Sequence, residues 1–124
     1  IAIFDLTGIH FGHYRALTPS LIKNIVNSWQ NYNIRPQQLE FLNVPSYVNI
    51  ILGIVKGFMN EKLKKRVKVH RGSIEKAQEI VSKKILPFEY GGDSESIQSL
   101  GNYWYNKLLS HAEWFTEDEK YQAR

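Results

Sequence analysis

The sequence VPSYVNIILGIVKGFMNEKLKKRVKVHR, residues 44–71, joins an apolar segment directly to a basic one. Its first half predicts a helix that begins at Pro45 and ends near Gly57. Only Asn49 and Lys56 are clearly polar within it, so this helix is apolar around almost its whole circumference. A helix on the surface of a domain normally carries a single apolar stripe, so this one has an unusual environment on one side.

Six basic side chains follow the apolar segment: Lys62, Lys64, Lys65, Arg66, Lys68 and Arg71. One interpretation is a core helix followed by a solvated charged face. The other is a lipid-facing helix beside a site for anionic headgroups. The helix is too short to span a bilayer, which takes about 20 apolar residues. The segment alone does not distinguish a core helix from a lipid-facing one, so the rest of the sequence is needed.

Composition limits the chain to one domain with one core, since it has 124 residues. No apolar run is long enough for a transmembrane helix or a secretory signal. The absence of cysteine excludes disulfides and thiolate metal sites and is compatible with the cytosol. Residues 60–71 carry six basic side chains and one acidic, a local charge of +5 in a chain whose net charge is +4. A basic patch on a near-neutral body argues against a general nucleic-acid-binding protein.

The remaining pattern predicts an α/β fold with a parallel sheet, because short apolar strands alternate with amphipathic helices. We expect strands at 1–6, 39–42 and 67–70, a loop at 9–15, and helices at 19–29, 61–65, 73–81 and from 93 onward. The first strand is apolar throughout, which is typical of a central strand. We therefore expect further sequence before it.

Six motifs occur in a fixed order along residues 1–92. They are Ile3-Phe4-Asp5-Leu6 with Gly8, Thr18-Pro19-Ser20, Phe41-Leu42-Asn43 with Pro45, Glu61-Lys62-Leu63 with Lys65-Arg66, Val69-His70, and Ile85-Leu86-Pro87 with Glu89-Tyr90-Gly91-Gly92. In this order they resemble the CRAL-TRIO lipid-binding domain, in the animal branch of α-tocopherol transfer protein, cellular retinaldehyde-binding protein and the clavesins. The acidic tail after Trp114 looks like that of insect members.

The resemblance implies a largely parallel sheet that floors a hydrophobic pocket, with a mobile gate helix at Ser46 to Phe58 closing its mouth. Residues 1–92 would be the C-terminal part of this domain, with its N-terminal part missing, and residues 93–124 a helical tail packed on it. An apolar outer face suits a gate that lies on a membrane when open.

The resemblance also implies a set of site residues. Pocket positions of the family carry over to Phe4, Phe11, Leu17, Ile25, Trp29, Ile34, Leu39, Leu52, Val55 and Phe58. Positions that hold phosphoinositide headgroups carry over to Arg35, Lys62 and Arg66, whereas Gln37 stands where a further basic residue is common.

The function that the resemblance implies is binding and intermembrane transfer of a small lipophile, such as a retinoid or tocopherol, with docking on phosphoinositide-containing membranes. We expect a monomeric cytoplasmic protein that associates transiently with membranes and uses no cofactor. An alternative is a non-enzymatic interaction or scaffold module of the same fold, which would have a filled core.

Other classes find less support in the sequence. An enzyme would have only Asp5, His10, His13 and His70 as acid–base groups, and neither a Gly-x-Ser-x-Gly turn nor a cysteine nucleophile is present. The spacing of His10 and His13 supplies two metal ligands at most, fewer than a stable site needs. The basic run lacks the interleaved aromatic residues that stack on bases, so we expect no nucleic-acid partner.

Overall fold

The computed structural model describes residues 1–33, 35–72 and 74–121. The chain divides into two units, Ile1–Ala77 and Gln78–Arg124. The boundary expected from the sequence, between residues 92 and 93, and the packing of the tail on the preceding residues remain predictions.

Three short apolar strands form a parallel sheet in the first unit. Strand β1 is Ala2–Asp5, β2 is Leu39–Leu42 and β3 is Val67–Val69, in the order β1-β2-β3. In this register Phe4 lies opposite Phe41. The predicted α/β class with a parallel sheet is confirmed. Within the part of the chain that the structure describes, β1 lies at an edge and the fully buried β2 is central. The expectation of further sequence that would flank β1 remains a prediction.

Helix α1, Phe11–Ala16, occupies a segment for which the sequence predicted a loop. Two histidines form its cap. The backbone N–H of Gly12 donates to His10 Nδ1 at 3.1 Å, and the backbone N–H of His10 donates to His13 Nδ1 at 3.1 Å. This reciprocal arrangement pairs two amide donors at the start of the helix, as a capping box does. Histidine is not among the usual capping residues, so the sequence carried no recognisable start signal.

Helix α2, Pro19–Asn31, begins as predicted. The Thr18 hydroxyl accepts a hydrogen bond from the backbone N–H of Leu21 at 3.2 Å, and Pro19 occupies the first turn. Its buried residues Ile22 and Val26 belong to one core cluster with residues of β2 and of the helix that follows it. The core therefore lies between α2, the sheet and the apolar segment quoted above.

That apolar segment begins with a 3₁₀ turn, Ser46–Val48, and continues as helix α3, Asn49–Phe58. Helix α4, Glu61–Lys64, follows, capped by Asn60, whose Oδ1 accepts from the N–H of Leu63 at 2.8 Å.

Among the described residues, the later α-helices are α5, Ile74–Ile80, α6, Ile97–Ser110, and α7, Ala112–Asp118, and 3₁₀ turns occur at Phe88–Tyr90 and Glu119–Tyr121. The capping role predicted for Ser73 falls outside the described residues. Helix α6 begins four residues later than expected, because the Ser96 hydroxyl caps it by accepting from the N–H of Ser99 at 3.1 Å. Within the described ranges, no helix combines the length and apolar character needed to cross a bilayer.

Candidate functional site

An apolar cavity of about 290 Å³ lies between β1, β2 and helices α1, α2 and α3. All of its lining side chains are uncharged, and nearly all are aliphatic or aromatic hydrocarbon. Stacked rings of Phe4 and Phe41, with centroids 4.9 Å apart, form part of its floor, and Trp29 packs against Phe4 with centroids 5.6 Å apart. Such a cavity favours an apolar occupant, because burial of apolar surface drives binding and no buried charge opposes it.

Six of the ten pocket residues predicted by resemblance line this cavity: Phe4, Leu17, Ile25, Trp29, Leu52 and Val55. Three others do not. Phe11 is 72% exposed and Phe58 is 38% exposed, while Leu39 is buried in the core cluster. Ile34 lies outside the described residues. Contact of any of these ten with a ligand remains a prediction.

The cavity has further lining residues that the sequence reasoning missed: Leu6, Ile9, Tyr14, Ile22, Val26, Phe41, Val48 and Ile51. Some of these residues could be predicted from helical spacing, because they lie on the same helix face as residues already assigned to the pocket. Ile22 and Val26 lie one turn from predicted residues of α2, and Val48 and Ile51 share a face with Leu52. No such signal marks Ile9 or Tyr14, because the sequence predicts a loop over residues 9–15.

Helix α3 and its preceding turn have two apolar faces with different environments. The inner face, with Leu52 buried and Ile51 and Val55 partly buried, lines the cavity. The outer face carries exposed apolar side chains: Tyr47, Ile50, Ile54 and Phe58. Ile50 is 75% exposed, which is unfavourable in water for a residue of this size. The helix is therefore apolar on both sides, with one face lining the cavity and the other exposed.

Tyr47 joins this helical segment to the start of α1. Its hydroxyl donates to the carbonyl oxygen of Ile9 at 3.1 Å, and its ring meets that of Tyr14 edge-on with centroids 5.5 Å apart. Since Ile9 and Tyr14 both line the cavity, these contacts connect the segment that contains α3 to the cavity wall. We call the Tyr47–Ile9 hydrogen bond the latch.

A second, cationic cleft of about 230 Å³ contains all three residues predicted to bind phosphoinositides, Arg35, Lys62 and Arg66. Arg66 is oriented by a hydrogen bond from its Nη1 to the Pro36 carbonyl oxygen at 2.9 Å. Among the described residues, no carboxylate forms an ion pair with any of the three cations. Three cations without a carboxylate make the cleft suited to an anion.

The other basic residues of the run are not all directed to this cleft. Lys64 pairs with Glu61 at 2.7 Å, and Lys68 Nζ lies 3.7 Å from a carboxylate oxygen of Glu40. Of the six basic residues in the run, only Lys62 and Arg66 line the cleft.

Glu40 is a buried carboxylate in the central strand, with 1% of its side chain exposed. His70 Nε2 lies 2.6 Å from its Oε2, and its Oε1 has no hydrogen-bond partner within the described structure. Successive residues of a strand face opposite sides of a sheet, so Glu40 points away from the cavity that Phe41 lines. This pair was not foreseen.

The acid–base groups considered for an enzyme are engaged in separate structural contacts. Asp5 Oδ1 accepts from the hydroxyl of Thr7 at 2.6 Å and from the side-chain amide of Asn43 at 2.9 Å. His10 and His13 cap α1, with their rings 3.8 Å apart. Searching the described ranges finds no group of three or more side chains able to hold a metal.

Trp29 lines both the apolar cavity and the cationic cleft. It also lines an apolar groove of about 300 Å³ beside β1, together with Tyr32 and Leu39. One residue therefore borders both the site suited to an apolar molecule and the site suited to an anion.

Comparison with known proteins identifies a family for this chain. The family sequence model for the CRAL/TRIO domain matches residues 1–92. Clavesin-2 of Rattus norvegicus is 26% identical over 124 residues, covering 99% of this chain, and clavesin-1 of Rattus norvegicus is 28% identical over 93 residues, covering 74%. The crystal structure of Sfh5 superposes with a TM-score of 0.62 at 19% identity, over 88% of this chain and 42% of that one.

The chain spans 37% of the length of clavesin-2 and 26% of that of clavesin-1. The match to Sfh5 supports the fold, while the family rests on the domain match over most of the sequence. This chain belongs to the CRAL/TRIO domain family.

Proposed function

We propose that the chain binds a small apolar ligand, of the retinoid or tocopherol kind, and transfers it between membranes. The observation that carries this proposal is the cavity of about 290 Å³ whose lining side chains are all uncharged. A ligand that buries its apolar surface there gains about 25 cal/mol per Å² of surface removed from water. No covalent chemistry is required of the protein, so we propose a non-enzymatic role.

Helix α3 is the proposed gate. It covers the cavity with its inner face and exposes apolar side chains on its outer face, among them Ile50 and Ile54. An exposed apolar face of this kind is favoured at the boundary between headgroups and acyl chains. The gate would open where that face meets a membrane, which allows the ligand to move between cavity and bilayer.

The cationic cleft is the proposed docking site for a phosphoinositide headgroup. Arg35, Lys62 and Arg66 supply donors for phosphate oxygens, and a bisphosphorylated inositol carries enough negative charge to be held by all three. The protein would reach the cytoplasmic face of membranes by this contact and leave again, because the contact is reversible.

A scaffold module of the same fold remains the alternative. It predicts a filled core, and the apolar cavity argues for the ligand-binding function instead. Native mass spectrometry of the protein purified from its own cells separates the two: a co-purifying lipophile of defined mass supports transfer, whereas an empty protein that takes up no retinoid, tocopherol or phosphatidylinositol analogue supports the scaffold.

The docking site is tested with liposomes that contain phosphatidylinositol bisphosphate. Replacement of two cleft cations, Lys62→Ala with Arg66→Ala, should weaken binding by at least about 100-fold, because two charge-assisted hydrogen bonds of about 1.5–3 kcal/mol each are lost. The control is Lys64→Ala with Lys65→Ala, which removes the same charge from the same basic run but outside the cleft. This control should lose only the general attraction of two basic residues to an anionic surface, a loss in binding free energy of about 1 kcal/mol per residue or less.

Equal losses in the two double variants would refute the cleft as a headgroup site. Uptake of the lipophile should be retained in both, because the cavity lining is unchanged.

A further inference from the structure

Helix α4 is held at its start by a side chain from another helix, α2. The backbone N–H of Asn60 donates to Gln30 Oε1 at 2.8 Å, and Asn60 Oδ1 in turn accepts from the backbone N–H of Leu63 at 2.8 Å. In a capping box, the third residue of the helix accepts from the N–H of the cap residue. That third residue is Leu63, whose side chain cannot accept a hydrogen bond. Gln30, 30 positions earlier in the chain, supplies the missing acceptor.

Helix α4 depends on such support because it is short. It comprises only four residues, Glu61–Lys64, and a single helical turn is not stable by itself in water. Leu63 is its only buried residue, so packing holds it at one point. The cap at Asn60 therefore has a large part in fixing where this helix lies.

The position of α4 determines where two cations of the cleft are presented. Lys62 is the second residue of the helix, and Arg66 follows directly after it, with its backbone N–H donating to the Leu63 carbonyl oxygen at 3.0 Å. Both basic side chains line the cleft, and so do Gln30 and Asn60. Charge-assisted hydrogen bonds require close distances, so a helix free to shift would hold an anion less well.

We propose that Gln30 is a positioning residue for the proposed headgroup site. Its side-chain oxygen completes the cap of α4 and thereby keeps Lys62 and Arg66 in the cleft with Arg35. This inference rests on the proposed docking function and adds to it a residue of α2, the helix that also lines the apolar cavity. No contact between Gln30 and the phosphates is required.

The first test measures the affinity of the full chain for inositol 1,4,5-trisphosphate by isothermal titration calorimetry. Gln30→Met keeps the length of the side chain but removes the acceptor oxygen. It should weaken binding by about fivefold, the equivalent of one hydrogen bond of ordinary net strength. Asn31→Met, at the next residue of α2, is the matched control, because its carboxamide does not line the cleft. An unchanged affinity in Gln30→Met, or an equal loss in Asn31→Met, overturns the proposal.

A second measurement separates positioning from direct contact with the anion. If Gln30 acts through the cations of α4, its effect must depend on them, because groups that act through one another are not additive. In a Lys62→Ala background, the further loss caused by Gln30→Met should fall from about fivefold to about twofold or less. An undiminished loss overturns the proposal, because Gln30 would then act on the anion independently of Lys62.

Amide hydrogen exchange tests the cap without any ligand. The N–H of Asn60 should exchange about fivefold faster in Gln30→Met, and Gln30→Glu, which retains an acceptor oxygen, should restore the wild-type rate. The amides of strand β2 should be unchanged in both variants, which excludes a general loss of stability. Exchange at Asn60 that is as slow in Gln30→Met as in the wild type overturns the proposal.

The outcomes distinguish the two proposals. Failure of the wild type to bind inositol trisphosphate overturns the headgroup site and with it the role of Gln30. Binding by the wild type together with any of the contrary results above overturns the role of Gln30 alone.

Discussion

We expect loss of the His70 side chain to lower the free energy of unfolding more than replacement of its buried partner, Glu40, by leucine. Replacing His70 with alanine removes the imidazole that lies 2.6 Å from a carboxylate with only 1% exposure. The remaining cation, Lys68, is 3.7 Å away and 52% exposed, so it compensates poorly. A hydrogen bond to a charged group contributes about 1.5–3 kcal/mol, and its loss leaves both oxygens of this buried carboxylate without a hydrogen bond within the described structure. We expect the lower part of this range, because the side chain of His70 is itself 18% exposed and its loss admits water.

The Glu40→Leu variant removes the buried charge instead. Its former partners, Lys68 and His70, are partly exposed, so removal of the carboxylate leaves no fully buried polar group without a partner. Replacing a buried ion pair with apolar groups is often neutral, so we expect a cost of about 1 kcal/mol or less. The double variant, Glu40→Leu with His70→Ala, should be about as stable as Glu40→Leu alone, because without the carboxylate the imidazole has no hydrogen bond to supply.

Urea unfolding of the four proteins, followed by tryptophan fluorescence, gives the three free-energy differences. The backbone bonds of His70, from its N–H to the Phe41 carbonyl and from Val44 N–H to its own carbonyl, do not involve the side chain and should persist in His70→Ala. If His70→Ala were no more destabilising than Glu40→Leu, the carboxylate would not depend on the imidazole and the reasoning would fail.

Three further predictions concern tyrosines and glycine. Tyr47→Phe breaks the latch, one hydrogen bond, and should speed ligand release in stopped-flow measurements by about fivefold, with an unchanged rate arguing against α3 as a gate. Gly92→Ala should lower the melting temperature, at a cost of roughly 1–3 kcal/mol, because a Cβ there would overlap the Leu86 carbonyl group, whereas Gly101→Ala, with open space around it, should not. Above pH 10.0 the free energy of unfolding should fall as pH rises, because burial raises the pKa of the Tyr14 hydroxyl and the folded state therefore holds that proton more tightly than the unfolded chain does; Tyr14→Phe should lack this component.

Local signals predicted most of the fold. The apolar runs at β1, β2 and β3 and the Thr18-Pro19 start of α2 identify these elements without knowledge of their neighbours. Helix α1 was missed because its cap consists of two imidazoles, whose role depends on a backbone geometry that the residue types do not announce. The central place of β2 depends on pairing between distant segments, to which strand composition is only loosely related.

The site was predictable where it follows helical spacing and unpredictable where it depends on distant contacts. Trp29 and Val55 line the cavity as the resemblance implied, since they lie on the core-facing sides of their helices. Phe11 does not line the cavity, because α1 turns it toward solvent, where it is 72% exposed; its contact with a ligand remains a prediction. The latch joins residues 38 positions apart, and the Glu40–His70 pair joins residues 30 apart. No pattern along the chain indicates such pairs.

Because Trp29 lines both sites, the two proposed ligands would be thermodynamically linked if an occupant of one site moves this residue. An occupant of the cavity that moves the indole ring also reshapes the cleft, and an anion in the cleft acts in return on the cavity. Such coupling is reciprocal: if the headgroup weakens the lipophile by some factor, the lipophile weakens the headgroup by the same factor. With that sign, a loaded protein would leave an anionic membrane more readily than an empty one, and delivery would be directed by the membrane's own composition.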